Sequence, residues 1–394
     1  MMPRMRARHR RLPLLLAPAL VLGGGLTRVA TAAADSPPGP PAATASPRPA
    51  PSPRPGAGAG ARAATPGRPV VVPPGDTPAP RAPYPLPARA AYPAPCPPPK
   101  RRITEGPTPR APHPVVPDRA VPAPVRVAVR TPDLAAVSGT GVWVTVFKGG
   151  SVDAPAIVRQ AAAARMTSIW VRSGSTHDGS YAASVLSRLV PLAHARGMRV
   201  IAWDFPTLSD PVADAARLAQ TARLSLAGQR VDGVAADIEA ETEGVFLSAA
   251  RVRAYLSRVQ VGMRLTPTDA RPLVVTTYRP SDYWWTGAGH YPYRSEAPYV
   301  DAFAPQVYWS CLEPGAPTAQ AVDRLRTLGK AVDVVGQAYD MGPAGGRPGT
   351  PRGDEVWRFL DVAKRHGASG ASLYLYSQMT PAMWRAATAY PWKR

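Results

Sequence analysis

The chain is short of the side chains from which metal, thiol and serine-nucleophile sites are built. Its 394 residues include two cysteines and six histidines, and neither set has the spacing of a zinc or redox motif. No H-x-x-x-H pair and no G-x-S-x-G nucleophile motif occurs. We therefore predict chemistry that needs no cofactor, with a divalent ion held by acidic residues as the alternative.

The first third of the chain lacks Trp and Phe. All nine Trp and all five Phe follow residue 137, whereas 34 of the 51 prolines precede residue 138. A segment rich in Pro, Ala and Arg cannot bury enough apolar surface to offset the entropy lost on ordering. We therefore predict a long disordered Pro-rich linker over residues 35–137 and a folded domain over residues 138–394.

The N-terminus has the three parts of an export signal. Several arginines come first, a short apolar run over residues 12–22 follows, and small residues occupy positions 30–34. The run is too short to span a bilayer and has the flanks of a signal peptide. Residues 1–34 are thus predicted to be a signal peptide of the general secretory or twin-arginine type. The mature protein is expected to be secreted or associated with the cell envelope, without a membrane span.

Negative charge is scarce, since 47 Lys and Arg stand against 26 Asp and Glu, a net charge of +21. Residues 1–137 carry +14 of this excess and residues 138–394 carry +7. A basic tail suits anionic envelope polymers or lipid head groups. Because no nucleic-acid-binding motif occurs, we expect no nucleic-acid partner.

The two cysteines lie far apart in the chain. Cys96 falls in the predicted linker and Cys311 in the predicted domain. In an exported protein such a pair can form one disulfide, which would tie the linker to the domain. Two unpaired thiols are the alternative.

Residues 138–394 alternate between strand-like and helix-like segments. Eight short apolar strands are predicted, at residues 143–148, 168–172, 199–204, 231–239, 272–278, 302–309, 331–339 and 370–376. Eight such units in about 250 residues predict the α/β class and a closed (β/α)8 TIM barrel. An open doubly wound sheet is the alternative, but no Gly-rich phosphate turn follows the first strand.

Polar and aromatic side chains gather where the predicted strands end, which is where barrel enzymes place their active sites. The fourth strand ends in Asp237 and Glu239, which share a face because strand side chains alternate. Two neighbouring carboxylates cannot both ionise freely, so one holds a proton, as glycoside hydrolysis requires. The alternative is a pair of strand-end acids bonded to Arg172 or Lys148.

Other strand ends supply side chains suited to sugar hydroxyl and acetamido groups. The residues predicted to bind substrate there are Asp204, Gln306, Tyr308, Trp309, Tyr339 and Tyr376. In the loop after the fifth strand, Trp284 and Trp285 are predicted to form a platform on which a sugar ring stacks. The alternative is that this loop packs its rings against one another.

The sequence DGVAADIE, residues 232–239, resembles a family signature. It is similar to the D-G-x-D-x-D-x-E motif of the family 18 chitinases and endo-N-acetylglucosaminidases, which lies on the fourth strand of a (β/α)8 barrel. The resemblance implies that Glu239 is the proton donor. It also implies that Asp237 orients the substrate acetamido group, whose oxygen is the nucleophile, and that Tyr308 assists.

The chain departs from that family at two places. Ala235 stands where the family has its middle acid, and the eighth strand offers Tyr374 and Tyr376 where a Trp is usual. The D-x-E pair is also similar, more weakly, to the family 25 lysozymes, which cut peptidoglycan.

These features together predict a monomeric glycoside hydrolase that acts on an N-acetylhexosamine polysaccharide, with cell-wall peptidoglycan ahead of chitin. A non-catalytic glycan-binding or cell-envelope scaffold domain is the second hypothesis, which Ala235 favours. A metal-dependent hydrolase is the third.

Overall fold

The computed structural model of the protein describes residues 115–344 and 346–392. Eight parallel strands form a closed barrel, in which each strand pairs with the next and the last pairs with the first. They are β1 (Gly139–Val144), β2 (Ser168–Ser175), β3 (Arg199–Phe205), β4 (Gly233–Asp237), β5 (Leu273–Tyr278), β6 (Ala302–Val307), β7 (Ala331–Gln337) and β8 (Gly370–Tyr374). The predicted α/β class and (β/α)8 barrel are confirmed. The predicted signal peptide lies outside the described residues.

Helices of nine or more residues pack around the barrel. Within the described part of the chain they are α1 (Ala154–Ala163), α2 (Ala183–His194), α3 (Pro211–Arg223), α4 (Ala249–Gly262), α5 (Gly315–Arg326), α6 (Gly353–Arg365) and α7 (Pro381–Ala389). Between β5 and β6 the chain instead forms one-turn helices, at Asp282–Trp285 and Tyr293–Glu296. No helix among the described residues is both long enough and apolar enough to cross a membrane.

Several helices begin where the sequence provides a capping side chain. Asp153 and Asp210 accept hydrogen bonds from the first-turn amides of α1 and α3, and Ser248 does so for α4. Such caps satisfy backbone N–H groups that have no partner inside the helix. The alternation of strands with capped helices is what makes the sheet parallel, since each helix returns the chain to the same end of the barrel.

The interior of the barrel is filled by three indole rings. Trp143 stacks on Trp170 with ring centroids 4.5 Å apart, and Trp203 meets Trp143 edge-on at 5.6 Å. Neighbouring residues on the same strands, such as Val200 and Ala202 of β3, point outward into the layer between barrel and helices. The barrel is therefore a packed core at mid-height, and a site can form only at its ends.

A single 3-10 turn, Leu134–Val137, closes the end of the barrel where the strands begin. Ala136 and Val137 are buried in the same cluster as the interior indoles. The Ser138 hydroxyl donates to the Leu134 carbonyl at 2.8 Å, and the next residue starts β1. Because this end is plugged, the other end is left as the mouth.

The segment before β1 lies against the helices. The buried Arg251 of α4 forms a salt bridge with Asp118, and Arg130 forms one with Asp301. The Val125 amide donates to the Ser257 hydroxyl at 3.1 Å. Residues 115–137, assigned to the linker from the sequence, therefore make specific contacts with the barrel, and the rest of the predicted linker lies outside the described residues.

Five of the eight strands end earlier than predicted, whereas β2 and β3 run past their predicted ends. The first strand ends at Val144, and Phe147, assigned to it from the sequence, is 60% exposed. Glu239, Trp309 and Tyr339 all lie two residues past the ends of their strands. This matters for the site, because side-chain direction beyond a strand end no longer follows the period of two.

Cys311 is buried beside the end of β6 and is part of a disulfide. Cys96, the predicted partner, lies outside the described residues. The pairing of these two cysteines therefore stays a prediction.

Candidate active site

Asp237 and Glu239 share one hydrogen-bond donor at the mouth of the barrel. The side-chain nitrogen Nε2 of Gln306, on β6, lies 3.0 Å from Asp237 Oδ1 and 3.3 Å from Glu239 Oε1. Asp237 is buried, whereas Gln306 and Glu239 are half-buried. The structure thus brings together three residues that the sequence placed in the site, with Glu239 nearer to solvent than Asp237.

The inner face of β4 is small and apolar below the two acids. Gly233 lies so close to the next strand that a Cβ there would come 3.1 Å from Pro272. Ala235 is buried and pairs in register with Trp203 of β3. A carboxylate at position 235 would therefore be buried among the indole rings, which gives a physical reason for alanine at this position.

Burial raises the pKa of Asp237 to about 7. The Arg172 charge and the hydrogen bond from Gln306 act in the opposite direction, and the Asp204 charge adds to the increase. A carboxyl group with a pKa near neutrality changes its charge under ordinary conditions, which is typical of acid–base sites. Asp237 thus has the electrostatic character expected of one member of a catalytic pair.

A tyrosine forms a hydrogen bond to the backbone of the residue between the two acids. The hydroxyl group of Tyr291 donates to the backbone oxygen of Ile238 at 2.6 Å, and both residues are buried. Tyr291 lies in the loop between β5 and β6 and packs on Tyr293 with ring centroids 4.6 Å apart. This role of Tyr291 could not be predicted from the sequence, because no local pattern connects the loop to Ile238, 53 residues away.

Three tyrosines line the mouth on the side of β6 to β8. The rings of Tyr308, Tyr339 and Tyr374 lie within 5.3 to 5.9 Å of one another, centroid to centroid. Burial raises the pKa of the Tyr308 phenol well above its usual value, so its hydroxyl group stays neutral. Tyr308 and Tyr339 therefore lie on the wall of the mouth, as predicted, and the third ring is that of Tyr374.

Arg172, at the inner face of β2, lies between two aromatic rings. Its guanidinium carbon is 5.0 Å from the centroid of the Phe147 ring and 5.3 Å from that of Trp203. Among the residues that the structure describes, none forms a hydrogen bond or ion pair with Arg172, and its Nε is buried. The interpretation of Asp237 and Glu239 as ion-pair partners of Arg172 is therefore wrong, although its charge still acts on Asp237.

Asp204 does not face the interior, contrary to the prediction. It lies on the outer face of β3 with Val200 and Ala202, and its side chain is fully buried. Arg217 of α3 binds both of its carboxylate oxygens, at 2.8 and 2.7 Å. Since both oxygens are taken by one guanidinium in a bidentate pair, Asp204 joins β3 to α3 instead of lining a sugar site.

Two further predicted residues point away from the mouth. Trp309 is buried beneath α6, where its ring packs on Phe359 with centroids 5.4 Å apart. Tyr376 follows the end of β8, and its hydroxyl group donates to Gln160 of α1 at 3.0 Å. Both were placed in the site by their nearness to a strand end, but one lies on the outer face and the other beyond the strand.

The aromatic loop after β5 packs largely on itself. Trp284 stacks on Tyr278 at 4.9 Å, and Trp285 packs on Tyr293 at 5.3 Å. Both indoles are half-buried, and the exposed ring of the loop is Tyr283. The alternative stated from the sequence, a loop that packs its own rings, describes this arrangement better than an exposed platform of two indoles.

The first acid of the signature-like sequence has a structural position. Asp232 lies just before β4, at the closed end of the barrel, and accepts hydrogen bonds from the Val200 amide at 2.7 Å and from Arg199 at 2.9 Å. It therefore joins β3 to β4. In residues 115–344 and 346–392, no three His, Cys, Asp or Glu side chains come close enough together to hold a metal ion.

No protein-family model matches the chain, and no curated protein matches it. Among solved structures, a chitinase from Chromobacterium violaceum is similar, with 14% identity over 65% of this chain and 100% of that one and a TM-score of 0.47. A spore cortex-lytic enzyme from Bacillus cereus is 9% identical over 64% and 73%, with a TM-score of 0.48. A chitinase-like agglutinin from Robinia pseudoacacia is 10% identical over 63% and 98%, with a TM-score of 0.41.

Proposed function

We propose that the protein is a glycoside hydrolase that acts on a glycan containing N-acetylhexosamine. The observation that carries the proposal is the pair of carboxylates at the mouth of the barrel, bound to one amide nitrogen of Gln306. Such a pair has the two groups that glycosidic bond cleavage requires, one to protonate the leaving oxygen and one to support the positive centre. The pKa of Asp237, which burial raises to about 7, allows this carboxyl group to be ionised from neutral pH upward, as a group that accepts the acetamido N–H must be.

In the proposed reaction, Glu239 acts first as general acid. Its carboxyl proton passes to the glycosidic oxygen as the bond from that oxygen to the anomeric carbon breaks. The acetamido oxygen of the same sugar forms a bond to the anomeric carbon, and the Asp237 carboxylate accepts the acetamido N–H. Glu239, now ionised, takes a proton from water, whose oxygen opens the cyclic intermediate. Both acids then return to their starting states.

The surroundings support this division of roles. Asp237 is the deeper acid and is fixed by Gln306, as a group that orients substrate must be. Glu239 is nearer to solvent, where a leaving group departs. The rings of Tyr308 and Tyr339 meet edge to face at 5.3 Å and form a wall against which an acetamido methyl group would pack.

Glu239→Gln is the direct test. The change removes a proton donor and almost no volume, so we expect the rate of release of reducing ends from N-acetylglucosamine oligomers and peptidoglycan to fall by at least about 100-fold. Glu241→Gln, at an exposed acid two residues away, is the matched control and should keep the full rate. Equal rates for the two variants would reject the role assigned to Glu239.

A non-catalytic glycan-binding domain is the second candidate function. The observation in its favour is Ala235, which leaves Asp237 without the neighbouring acid that shares its proton in the family 18 signature. Binding of glycan by the wild-type protein without the appearance of new reducing ends would support this candidate and reject hydrolysis.

We also propose that the protein is exported and acts at the cell envelope. The basic residues and short apolar run at the N-terminus, and the basic Pro-rich segment that follows, support this location. Fractionation of the expressing cells tests this location. Recovery of the protein in the cytoplasmic fraction, with its N-terminus uncleaved, would contradict export. Release of an envelope-bound protein by salt would indicate attachment to anionic polymers.

A further inference from the structure

Arg172 lacks the partner that a half-buried arginine normally has. Elsewhere in the structure, Arg217 binds Asp204 in a bidentate pair, and Arg347 binds both carboxylate oxygens of Glu355 at 2.8 Å. For Arg172, no hydrogen-bond or ion-pair partner exists among the residues that the structure describes. The Nε of Arg172 is buried without a hydrogen-bond partner, which costs free energy, so the retention of this arginine at the mouth calls for a function.

The two rings hold the guanidinium but do not satisfy its donors. Phe147 and Trp203 each lie about 5 Å from its central carbon, which is cation–π distance. Contacts of this kind engage the faces of the planar group, whereas hydrogen bonds form at its edge in the guanidinium plane. An edge with several N–H donors in a fixed fork matches a carboxylate, which accepts two of them at once.

Arg172 lies where it can bind a substituent of the sugar that reacts. It pairs in register with Trp203, which pairs with Ala235, and Asp237 is the next inward residue of β4 above Ala235. The guanidinium therefore lies on the same inner wall of the mouth as Asp237, with only β3 between their strands. The uncharged side of the mouth is formed by the tyrosines of β6 to β8.

We propose that Arg172 binds a carboxylate carried by the sugar beside Asp237, so that the natural substrate is an anionic glycan and not a neutral polymer of N-acetylglucosamine. The inference rests on the proposed function, since it assigns the substrate class of the same site. The carboxylate can belong to an ether-linked lactyl group, as in N-acetylmuramic acid without a stem peptide, or can be part of the ring, as in an N-acetylhexosaminuronic acid. In both cases one anion meets one fixed guanidinium.

The experiment compares ligands that differ only in the carboxylate. The full chain carrying Glu239→Gln is titrated with oligomers of alternating N-acetylglucosamine and N-acetylmuramic acid, intact and with the carboxyl group reduced to an alcohol. Oligomers that contain an N-acetylhexosaminuronic acid and neutral N-acetylglucosamine oligomers are the further arms. We expect one of the two acidic oligomers, that with the lactyl or that with the ring carboxylate, to bind about 10- to 100-fold more tightly than its reduced form. A factor of this size corresponds to the free energy that a hydrogen bond to a charged group contributes.

Arg172→Gln in the same background should remove this difference and leave the affinity for neutral oligomers unchanged, both measured at a pH well above the pKa of Asp237, where loss of the Arg172 charge no longer changes the ionisation of that carboxyl group. Arg172→Lys retains the charge but loses the paired N–H donors of the guanidinium, so it should keep only part of the preference for the acidic oligomer. This variant replaces Arg172→Gln in the test if circular dichroism shows that the Gln variant is poorly folded. Arg188→Gln, at an exposed position on α2, is the control for the loss of one charge and should behave like its parent. Equal affinity for intact and reduced oligomers, or an equal loss for acidic and neutral ligands in Arg172→Gln, would overturn the inference.

The two levels of proposal can fail separately. Arg172-dependent binding of the acidic oligomer without hydrolysis by the wild-type protein would reject the hydrolase and keep the role of Arg172. Hydrolysis of acidic and neutral oligomers at equal rates, with or without Arg172, would keep the hydrolase and reject anion recognition. Absence of binding to every oligomer would reject both.

Discussion

Replacement of Asp333 by asparagine should stabilise the protein, and more so as the pH rises. Asp333 is on the inner face of β7, inside the barrel, and is 1% exposed. The Trp143 indole donates to the Ser372 hydroxyl at 2.9 Å, and that hydroxyl group donates to Asp333 at 2.7 Å. Gly370 lies so close that a Cβ there would come within 2.5 Å of the other carboxylate oxygen, Oδ2.

Burial raises the pKa of Asp333 from 3.8 to about 8, and the hydrogen bond from Ser372 lowers it by less. The folded state thus keeps the carboxyl proton at neutral pH, whereas the unfolded chain loses it above pH 4. A raised pKa gives a contribution to stability that is complete below pH 3.8 and is lost as the pH rises toward 8. At 1.36 kcal/mol per pH unit, the loss at pH 7 is about 4 kcal/mol.

Asparagine resembles the protonated acid and has no charge to lose. The free energy of unfolding of Asp333→Asn minus that of the wild type should therefore increase by about 3 to 4 kcal/mol between pH 4 and pH 7. An amide N–H without a partner would lower the difference at every pH by about 1 to 3 kcal/mol, but it would not change the slope. Urea unfolding of both proteins, followed by Trp fluorescence at four pH values between 4 and 8, measures this difference in the free energy of unfolding.

Asp361→Asn is the matched control, because Asp361 forms a surface salt bridge with Arg365. Its effect should stay below about 1 kcal/mol and should not grow with pH over this range. A difference for Asp333→Asn that is the same at pH 4 and pH 7 would refute the reasoning, since it would mean that Asp333 is ionised in the folded protein. Burial also raises the pKa of Glu296 to about 8, but Glu296 is common to both proteins and cancels.

Three other outcomes are expected. Tyr291→Phe removes the hydrogen bond to Ile238 and should lower kcat by about tenfold or more with a smaller change in KM, measured on the best substrate; an unchanged kcat would show that the segment between the acids needs no support. A chain that starts at residue 138 lacks the turn that plugs the barrel and should unfold at a markedly lower temperature than a chain that starts at residue 115. Equal unfolding temperatures would mean that residues 115–137 are a linker that can be removed without loss of stability. If Asp237 must be ionised to accept the acetamido N–H, kcat/KM should fall as the pH drops through about 7, and Arg172→Gln should move this limb to higher pH; a flat profile from pH 5 to 8 would contradict the role of Asp237.

The barrel and the place of the two candidate acids at its mouth could be predicted because the sequence carries a strong signal for each. Alternating apolar strands and capped helices are local patterns, and eight of them in about 250 residues leave few alternatives. On β4 the order Asp237, Ile238, Glu239 places polar and apolar residues on opposite faces. The direction of Asp237 therefore followed from the period of two, whereas Glu239 lies past the end of β4 and is held beside Asp237 by the hydrogen bond from Gln306.

The period of two did not place Asp204 and Trp309, for two different physical reasons. Trp309 lies past the end of β6, where the alternation of a strand no longer applies. Asp204 lies within a strand. A strand of a parallel barrel is buried on both faces, so its sequence is apolar throughout and does not reveal which face is inward. In β3 the interior holds the bulky Trp203 and the outer layer holds the small Ala202, which the sequence alone does not indicate. The partner that fixes Asp204, Arg217, lies 13 residues away on a helix.

Contacts between distant segments could not be predicted at all. Tyr291 is 53 residues from the peptide that it supports, and the ring of Phe147 meets Arg172 only once β1 and β2 are paired. Both observations depend on tertiary packing, which local patterns do not encode. They are also the observations that turn a pair of acids into a site with defined geometry.

The position of the turn Leu134–Val137 has a consequence for the order of folding. It is synthesised before every strand, yet it contacts β3 and β7 and lies beneath residues that β8 brings into place. It can take its final position only after the last strand has closed the ring, so the earliest part of the domain is among the last to settle. A nascent or truncated chain that lacks β8 would leave this apolar turn in water and would be an early target for proteases.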